Sequence, residues 1–429
     1  MTQFLQFACR WVLRHQHKLK QAVRNCHLQV KPAFGLEEYR TYEDDSEITF
    51  KYNELTTTLA EPNQLRSKPE VSELKFGQVF TDHMLKILYH QALGGWQKPE
   101  IIPFENISLH PAAKVLHYAI EVNSAKKVKR ILVEIFQLFE GLKAYRGVDG
   151  KIRVFRPDLN MYRMNSSALG SGLPTFDGME LIKCMNRLVQ VDQEWVPHSE
   201  ASSLYIRPTL IGIDGTLGVC KSDSALLYTI LCPVGGYFAK GNDSVSLFAD
   251  PTYIRAWPGG CGDRKMGSNY GPTIRVQSKA LRRGCQQVLW LYGEDHQLTE
   301  VGTMNIFMFY VNDAGEKVLA TPPLNGLILP GITRQSIIEL VMEWGGIELQ
   351  QRSITMGELI YLQKENRLLE LFGSGTACIV SPISSIEYLN STISIPTIEH
   401  SKPLYQAIRD QLAAIQYGHI EHPWAMPIE

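Results

Sequence analysis

The sequence lacks the pairings that would turn its cysteines into a scaffold or a metal site. Its eight cysteines (Cys9, Cys26, Cys184, Cys220, Cys232, Cys261, Cys285 and Cys378) are scattered over 429 residues, and none forms a C-x-x-C pair. Neither a zinc knuckle nor a dithiol redox motif is therefore present, and scattered thiols in a chain this long suit a reducing compartment. The twelve histidines show no H-E-x-x-H spacing. No stretch approaches the ~20 apolar residues of a membrane span. An excess of either charge is also missing: 43 Lys+Arg face 44 Asp+Glu, for a net −1, which argues against a nucleic-acid partner. With 44% apolar, 10% aromatic and 20% charged residues, wholesale disorder is excluded. The class left is a soluble globular enzyme with ample chain for a large core.

One absence is local. Residues 1–36 contain no Asp or Glu but carry Arg10, Arg14, Lys18, Lys20, Arg24 and Lys31, so the rest of the chain holds a net −7. On a helical wheel Arg10, Arg14 and Lys18 share a face, opposite Phe4, Phe7, Ala8, Trp11 and Leu19. A basic, acid-free amphipathic leader is the composition of a mitochondrial transit peptide, and residues 1–36 are set aside from the fold on that expectation. Residues 37–75 read as a polar N-terminal arm rich in Glu and Asp.

From Phe76 onward short apolar segments alternate with Gly and Pro. The spacing predicts a strand at Ile152–Phe155, a helix at Gly178–Val191 and a buried strand at Ala225–Pro233. Gly235, Gly236 and Gly241 place a domain boundary near residue 240. Beyond it the pattern predicts strands at Ser244–Ala249, Gln287–Tyr292 and Met304–Val311, helices at Thr273–Gly284 and Thr333–Glu343, and a return to strand at Ser374–Ile379. The mixture lacks strict βαβ regularity, which favours a two-domain α/β or α+β enzyme.

The chemistry concentrates in the second half. Trp257–Pro272 sets Lys265 among small residues, where a bulky planar group can approach and an apolar setting would lower the amine's pKa into nucleophilic range. Glu300 reads as opening an apolar strand, a poor place for a carboxylate unless a cation is buried with it. Gly331-Ile-Thr-Arg334 opens a helix after Pro330, offering free amides and the positive end of the dipole to an anion. Gly373-Ser-Gly-Thr376-Ala-Cys is a second amide-rich loop with a hydroxyl. A lysine, a carboxylate and two phosphate-like cradles together point to pyridoxal 5'-phosphate.

With those residues in place the sequence resembles the branched-chain amino acid aminotransferases, and within them the mitochondrial form of animals. The resemblance runs from Phe76-Gly-Gln-Val-Phe-Thr-Asp-His-Met-Leu85 to Gln416-Tyr-Gly, through Phe139-Glu-Gly-Leu-Lys-Ala-Tyr145, Leu159-Asn-Met-Tyr-Arg-Met164, Leu204-Tyr-Ile-Arg-Pro208, Gly284–Tyr292, Glu294–Asn305 and Pro322-Pro-Leu-Asn-Gly326. It implies a two-domain fold type IV pyridoxal-phosphate enzyme, similar to D-amino acid aminotransferase. A small N-terminal α/β domain (76–239) would precede a larger pseudo-barrel domain (240–429). It implies reversible transfer of the amino group of leucine, isoleucine or valine to 2-oxoglutarate, giving glutamate, by a homodimer with shared sites in the mitochondrial matrix.

The resemblance also assigns roles. Lys265 would form the internal aldimine and shuttle the proton. Glu300 would hold the pyridine nitrogen protonated, and Tyr270 would meet the ring hydroxyl. Arg163 and Thr376, with the amides of Ile332 and Thr333, would grip the phosphate. Phe76, Phe139, Tyr205 and Tyr237 would line the substrate pocket, completed by Tyr118, Leu217 and Val219 of a dimer partner. Thr303 and Ala377 would engage the α-carboxylate, and Arg207 the γ-carboxylate of glutamate.

Two departures stand out. Where mitochondrial vertebrate members carry a C-x-x-C redox switch, this chain has Cys378-Ile-Val-Ser381, so that switch is expected to be absent. Residues 121–136, with Lys126, Lys127, Lys129 and Arg130, interrupt the connection from Tyr118 to Phe139. They read either as an outward loop of modest closure cost or as a retained intron. If they disturb the site, the chain would be a catalytically impaired isoform or a non-enzymatic dimer partner.

Overall fold

Two sets of apolar residues build two sheets. The computed structural model describes residues 49–117, 137–236 and 244–428. The leader, the start of the acidic arm, Tyr118, the 121–136 insert and Tyr237 lie outside the described residues.

The first sheet has ten strands. At its centre Ser203–Gly212 pairs antiparallel with Ser224–Val234, in an unbroken register from Ser203↔Val234 to Gly212↔Ala225. Both strands are buried along most of their length, which is why each reads as a nearly continuous apolar run. His83–His90 adds on one side, and Leu142–Arg146 with Ile152–Phe155 on the other. The C-terminal strand Ala425–Pro427 closes that edge.

Helix Gly178–Val191 covers this sheet with Leu181, Ile182, Cys184, Met185, Leu188 and Val189, one helical face. Each such large apolar side chain contributes roughly 1.5–3 kcal/mol on burial. Asp177 starts the helix by accepting from the amides of Met179 (2.8 Å) and Glu180 (3.4 Å).

The second sheet closes on itself. Gln297–Val301, Gln287–Tyr292, Val245–Ala249, Ile379–Tyr388, Leu368–Gly375 and Met304–Val311 pair in that order, and the last pairs back onto the first. The result is a six-stranded barrel-like ring in a mixed α/β protein, with Lys317–Thr321 and Glu348–Gln351 extending one side. Helices Ile332–Trp344 and Leu404–Gln416 pack where the sheets meet, in a core holding Tyr145 and Phe155 from one sheet and Phe307, Phe309 and Phe372 from the other.

The predicted elements at Ile152–Phe155, Gly178–Val191, Gln287–Tyr292 and Met304–Val311 are found with those bounds. The expected strand at Ser374–Ile379 is not. One strand ends at Gly375 and the next begins at Ile379, directly opposite it. Thr376, Ala377 and Cys378 make the reversal, with Ile379 in the left-handed region (φ 61°). The sequence pattern also passes over helix Pro157–Gly170, because its inward face carries polar Asn160, Arg163 and Ser167.

Candidate functional site

A cavity of about 270 Å³ opens between the sheets. Lys265, at its wall, comes from the loop between strand Val245–Ala249 and helix Thr273–Arg282. The lysine backbone is held on both sides. Its N–H donates to Ser167 Oγ at 3.0 Å, and its carbonyl accepts from the Phe139 amide at 3.2 Å. Nζ stands 3.3 Å from the Tyr270 hydroxyl and 4.6 Å from the Phe139 ring centroid. Burial, reinforced by the charge of Arg163, pushes the amine down to about 8. Burial, with the charge of Glu300, pushes Tyr270 up to about 12.

Glu300 does not open the apolar strand Met304–Val311 but is the penultimate residue of the strand before it, Gln297–Val301, and is buried with Arg255, whose guanidinium lies 2.7 Å from its Oε2. The Leu329 amide donates to Oε1 at 2.7 Å. Burial raises the carboxyl above its ordinary range, against the opposing pull of Arg255. Here is the buried cation that a carboxylate in this setting requires.

Opposite, Gly331 caps helix Ile332–Trp344 with no side-chain cap bond, and Ile332 and Thr333 line the cavity. A Cβ on Gly331 would fall 2.0 Å from Asn305 Oδ1, so only glycine lets the helix start so close to the strand. Ser374, Gly375, Thr376 and Ala377 form the neighbouring wall, and Ser374 Oγ is buried without a hydrogen-bond partner. Lys143 braces that turn through a 2.9 Å bond from Nζ to the Ala377 carbonyl. Cys378 is buried against Met304, its Sγ 3.2 Å from the thioether sulfur, and burial pushes its thiol up to about 12.

Arg163 reaches the same cavity from helix Pro157–Gly170. Its Nε and Nη2 grip Glu140 at 2.6 and 2.8 Å, and Nη1 donates to the Pro330 carbonyl at 2.9 Å. Burial alone would raise Glu140, but Arg163, Lys265 and Asn160 outweigh it and hold the carboxyl below its ordinary value.

The remaining wall is aromatic. Phe76 stands edge-on to Tyr205 with centroids 4.9 Å apart. Arg207 lies 4.5 Å over Phe139 and 5.1 Å over Tyr205, donating to the tyrosine hydroxyl at 3.0 Å. Its buried Nε has no partner. Thr303, at the turn before strand Met304–Val311, completes the lining.

Of the residues singled out from sequence, the cavity thus gathers Lys265, Tyr270, Arg163, Thr303, Ile332, Thr333, Thr376, Ala377, Phe76, Phe139, Tyr205 and Arg207. Glu300 lines an adjoining crevice with Tyr270 and Thr303. Leu217 and Val219 do not line the cavity; they are 61% and 58% exposed. Sequence reasoning missed Glu140, Arg255 and Lys143. The signal for Glu140 was a carboxylate between Phe139 and Gly141 with no turn to solvate it.

Residues 137–386 match the family model of the class IV aminotransferases. The chain is 52% identical over 381 residues to the cytosolic branched-chain-amino-acid aminotransferase of Mus musculus, covering 89% of this chain and 94% of that protein. It is 50% identical over 363 residues to the mitochondrial one of Bos taurus, covering 84% and 88%. Among solved structures it is similar to the branched-chain aminotransferase of Thermoproteus uzoniensis with norvaline, at a TM-score of 0.62, 24% identity and coverage of 81% of this chain and 100% of that one.

Proposed function

The chain belongs to the class IV aminotransferases, and within them to the branched-chain amino acid aminotransferases; from that premise we propose that the cavity exchanges an amino group between leucine, isoleucine or valine and 2-oxoglutarate. The observation that carries the reading is Lys265, an amine that burial draws down to about 8, at the junction of an uncapped helix N-terminus and an aromatic wall.

The residues present fit pyridoxal 5'-phosphate. The first-turn amides of Ile332 and Thr333, the partnerless Ser374 hydroxyl and Thr376 offer an anion unspent donors; Arg163 lies beside them but spends its guanidinium on Glu140 and the Pro330 carbonyl, so the amides and hydroxyls carry the fit. When bound, the cofactor supplies an electrophilic carbon and an electron-withdrawing ring. Lys265 Nζ would take the proton from the substrate Cα and return it, its low pKa leaving the amine largely uncharged above about pH 8. Glu300, anchored by Arg255 and Leu329, would hold a proton on the ring nitrogen, and Tyr270 would hydrogen-bond the ring oxygen. Phe76, Phe139 and Tyr205 accept an aliphatic side chain, and an apolar wall separates leucine from valine by only about 1–3 kcal/mol. The unpartnered Nε of Arg207 offers a donor to the second carboxylate of glutamate, with Thr303 and Ala377 placed for the first.

We further infer a homodimer in which Tyr118, Leu217 and Val219 of one subunit complete the pocket that Tyr237 lines within the other. The inference rests on the exposure of Leu217 and Val219. Mitochondrial import rests on the composition of residues 1–36. A division into domains 76–239 and 240–429 rests on the grouping of strands between 83 and 234 in one sheet and between 245 and 394 in the other, the C-terminal strand Ala425–Pro427 alone crossing back to the first.

Purified protein given leucine and 2-oxoglutarate should form glutamate and the branched 2-oxo acid, with Lys265→Ala inactive and D-alanine a poor donor. Wild-type protein that binds pyridoxal phosphate yet forms no glutamate would support instead an isoform impaired by residues 121–136.

A further inference from the structure

The loop that carries Lys265 has little regular structure of its own, so its backbone must find partners elsewhere. Helix Pro157–Gly170 supplies them from one face. Asn160, Arg163 and Ser167 recur at helical spacing and are all buried. Asn160 and Arg163 grip Glu140. One turn on, Ser167 Oγ accepts the Lys265 N–H at 3.0 Å, while the adjacent Ser166 takes the Arg264 guanidinium on both its carbonyl and its hydroxyl. Phe139, next to Glu140, donates its amide to the Lys265 carbonyl, and Met266 bridges to Leu138. The contacts form a closed circuit: helix to Glu140, along the chain to Phe139, across to Lys265, and back to the helix through Ser167.

We propose that Ser167 is a positioning residue for Lys265, fixing the backbone from which the amine enters the cavity and tying it to the helix face that carries Arg163. The proposal rests on the reading of Lys265 as the lysine that serves the cofactor. A lysine side chain has four rotatable bonds, so its reach is reproducible only if its Cα is fixed. Without the hydroxyl oxygen the part-buried N–H has no acceptor in place, and the loop must shift to find one. A displacement of about 1 Å costs a reaction about 100-fold in rate when reacting atoms must meet in line. Ser167 does not touch the cavity, so substrate binding should be spared.

The test compares full-length wild type with Ser167→Ala and Ser167→Thr, which keeps the oxygen, and with Lys265→Ala. The readouts are thermal melting, kcat and KM for leucine, and the pH titration of the bound pyridoxal phosphate's absorbance. Ser167→Ala should melt cooperatively, lose about 10- to 100-fold in kcat with KM nearly unchanged, and shift the titration midpoint; Ser167→Thr should recover most of kcat. Wild-type kcat and midpoint in Ser167→Ala would overturn the proposal. A loss of activity that only follows the loss of folded protein, with the midpoint unmoved, would overturn it as well. If the wild-type absorbance does not titrate, or survives in Lys265→Ala, the reading of Lys265 itself falls and the proposal falls with it.

Discussion

Single residues in this site are tuned mainly by burial, and the tuning has opposite effects on acids and bases. Lys265 is pushed down and Tyr270 and Glu300 are pushed up, each toward its neutral form. Glu140 goes the other way because Arg163 grips it with two bonds. The lysine gives the cleanest measurement. An amine at about 8 is charged below that pH and nucleophilic above it. In the ligand-free protein, competitive labelling with acetic anhydride should show Lys265 reactivity rising through about pH 8. Lys183 is the internal control: its pairing with Glu180 raises it above the ordinary lysine value, so it should titrate far higher. A Lys265 that titrates together with Lys183 would contradict the burial argument.

Elements differ in how openly the sequence displays them. Helix Gly178–Val191 is visible because its buried face is wholly apolar and repeats at helical spacing, and because an Asp precedes it. Asp177→Ala should cost about 1 kcal/mol, read as a lower urea midpoint at unchanged slope and unchanged leucine turnover. Loss of turnover beyond that of the folded fraction would mean the helix start does more than cap.

Helix Pro157–Gly170 stayed hidden for the converse reason. Its buried side mixes apolar Met161, Met164 and Ala168 with polar Asn160, Arg163 and Ser167 that face the site, and the polar residues dilute the apolar repeat that reveals a helix. The site was legible where chemistry leaves a local mark: a lysine among small residues, a carboxylate against a strand, an amide-rich loop. Its pairings were not, since Glu140 with Arg163 and Arg255 with Glu300 meet only through the tertiary fold. The turn at Thr376–Cys378 was misread as strand because the residues flanking it on both sides do belong to strands.

At the scale of the molecule, the proposed homodimer would bring Leu217 and Val219 of one chain to the pocket of the other. Leu217 and Val219 sit on a loop that is itself firmly built. Lys114, 1% exposed, donates to the Cys220 and Lys221 carbonyls at 2.9 and 3.1 Å and pairs with Asp214 at 3.4 Å. Ala113 bridges to Gly215 across the same loop. A braced loop that exposes Leu217 and Val219, with Leu116 also exposed close in sequence to Lys114, is the apolar surface on which the proposed homodimer rests. Replacing both residues, Leu217→Glu with Val219→Glu, puts like charges on a self-complementary face, since a two-fold contact places each patch against its own equivalent or neighbour. Sedimentation should then show a shift from dimer toward monomer. Leucine turnover should fall with it, while cooperative melting and pyridoxal phosphate binding to Lys265 persist. A double variant that remains dimeric and fully active would show that this face is not shared between subunits, and would return the substrate pocket to residues of one chain.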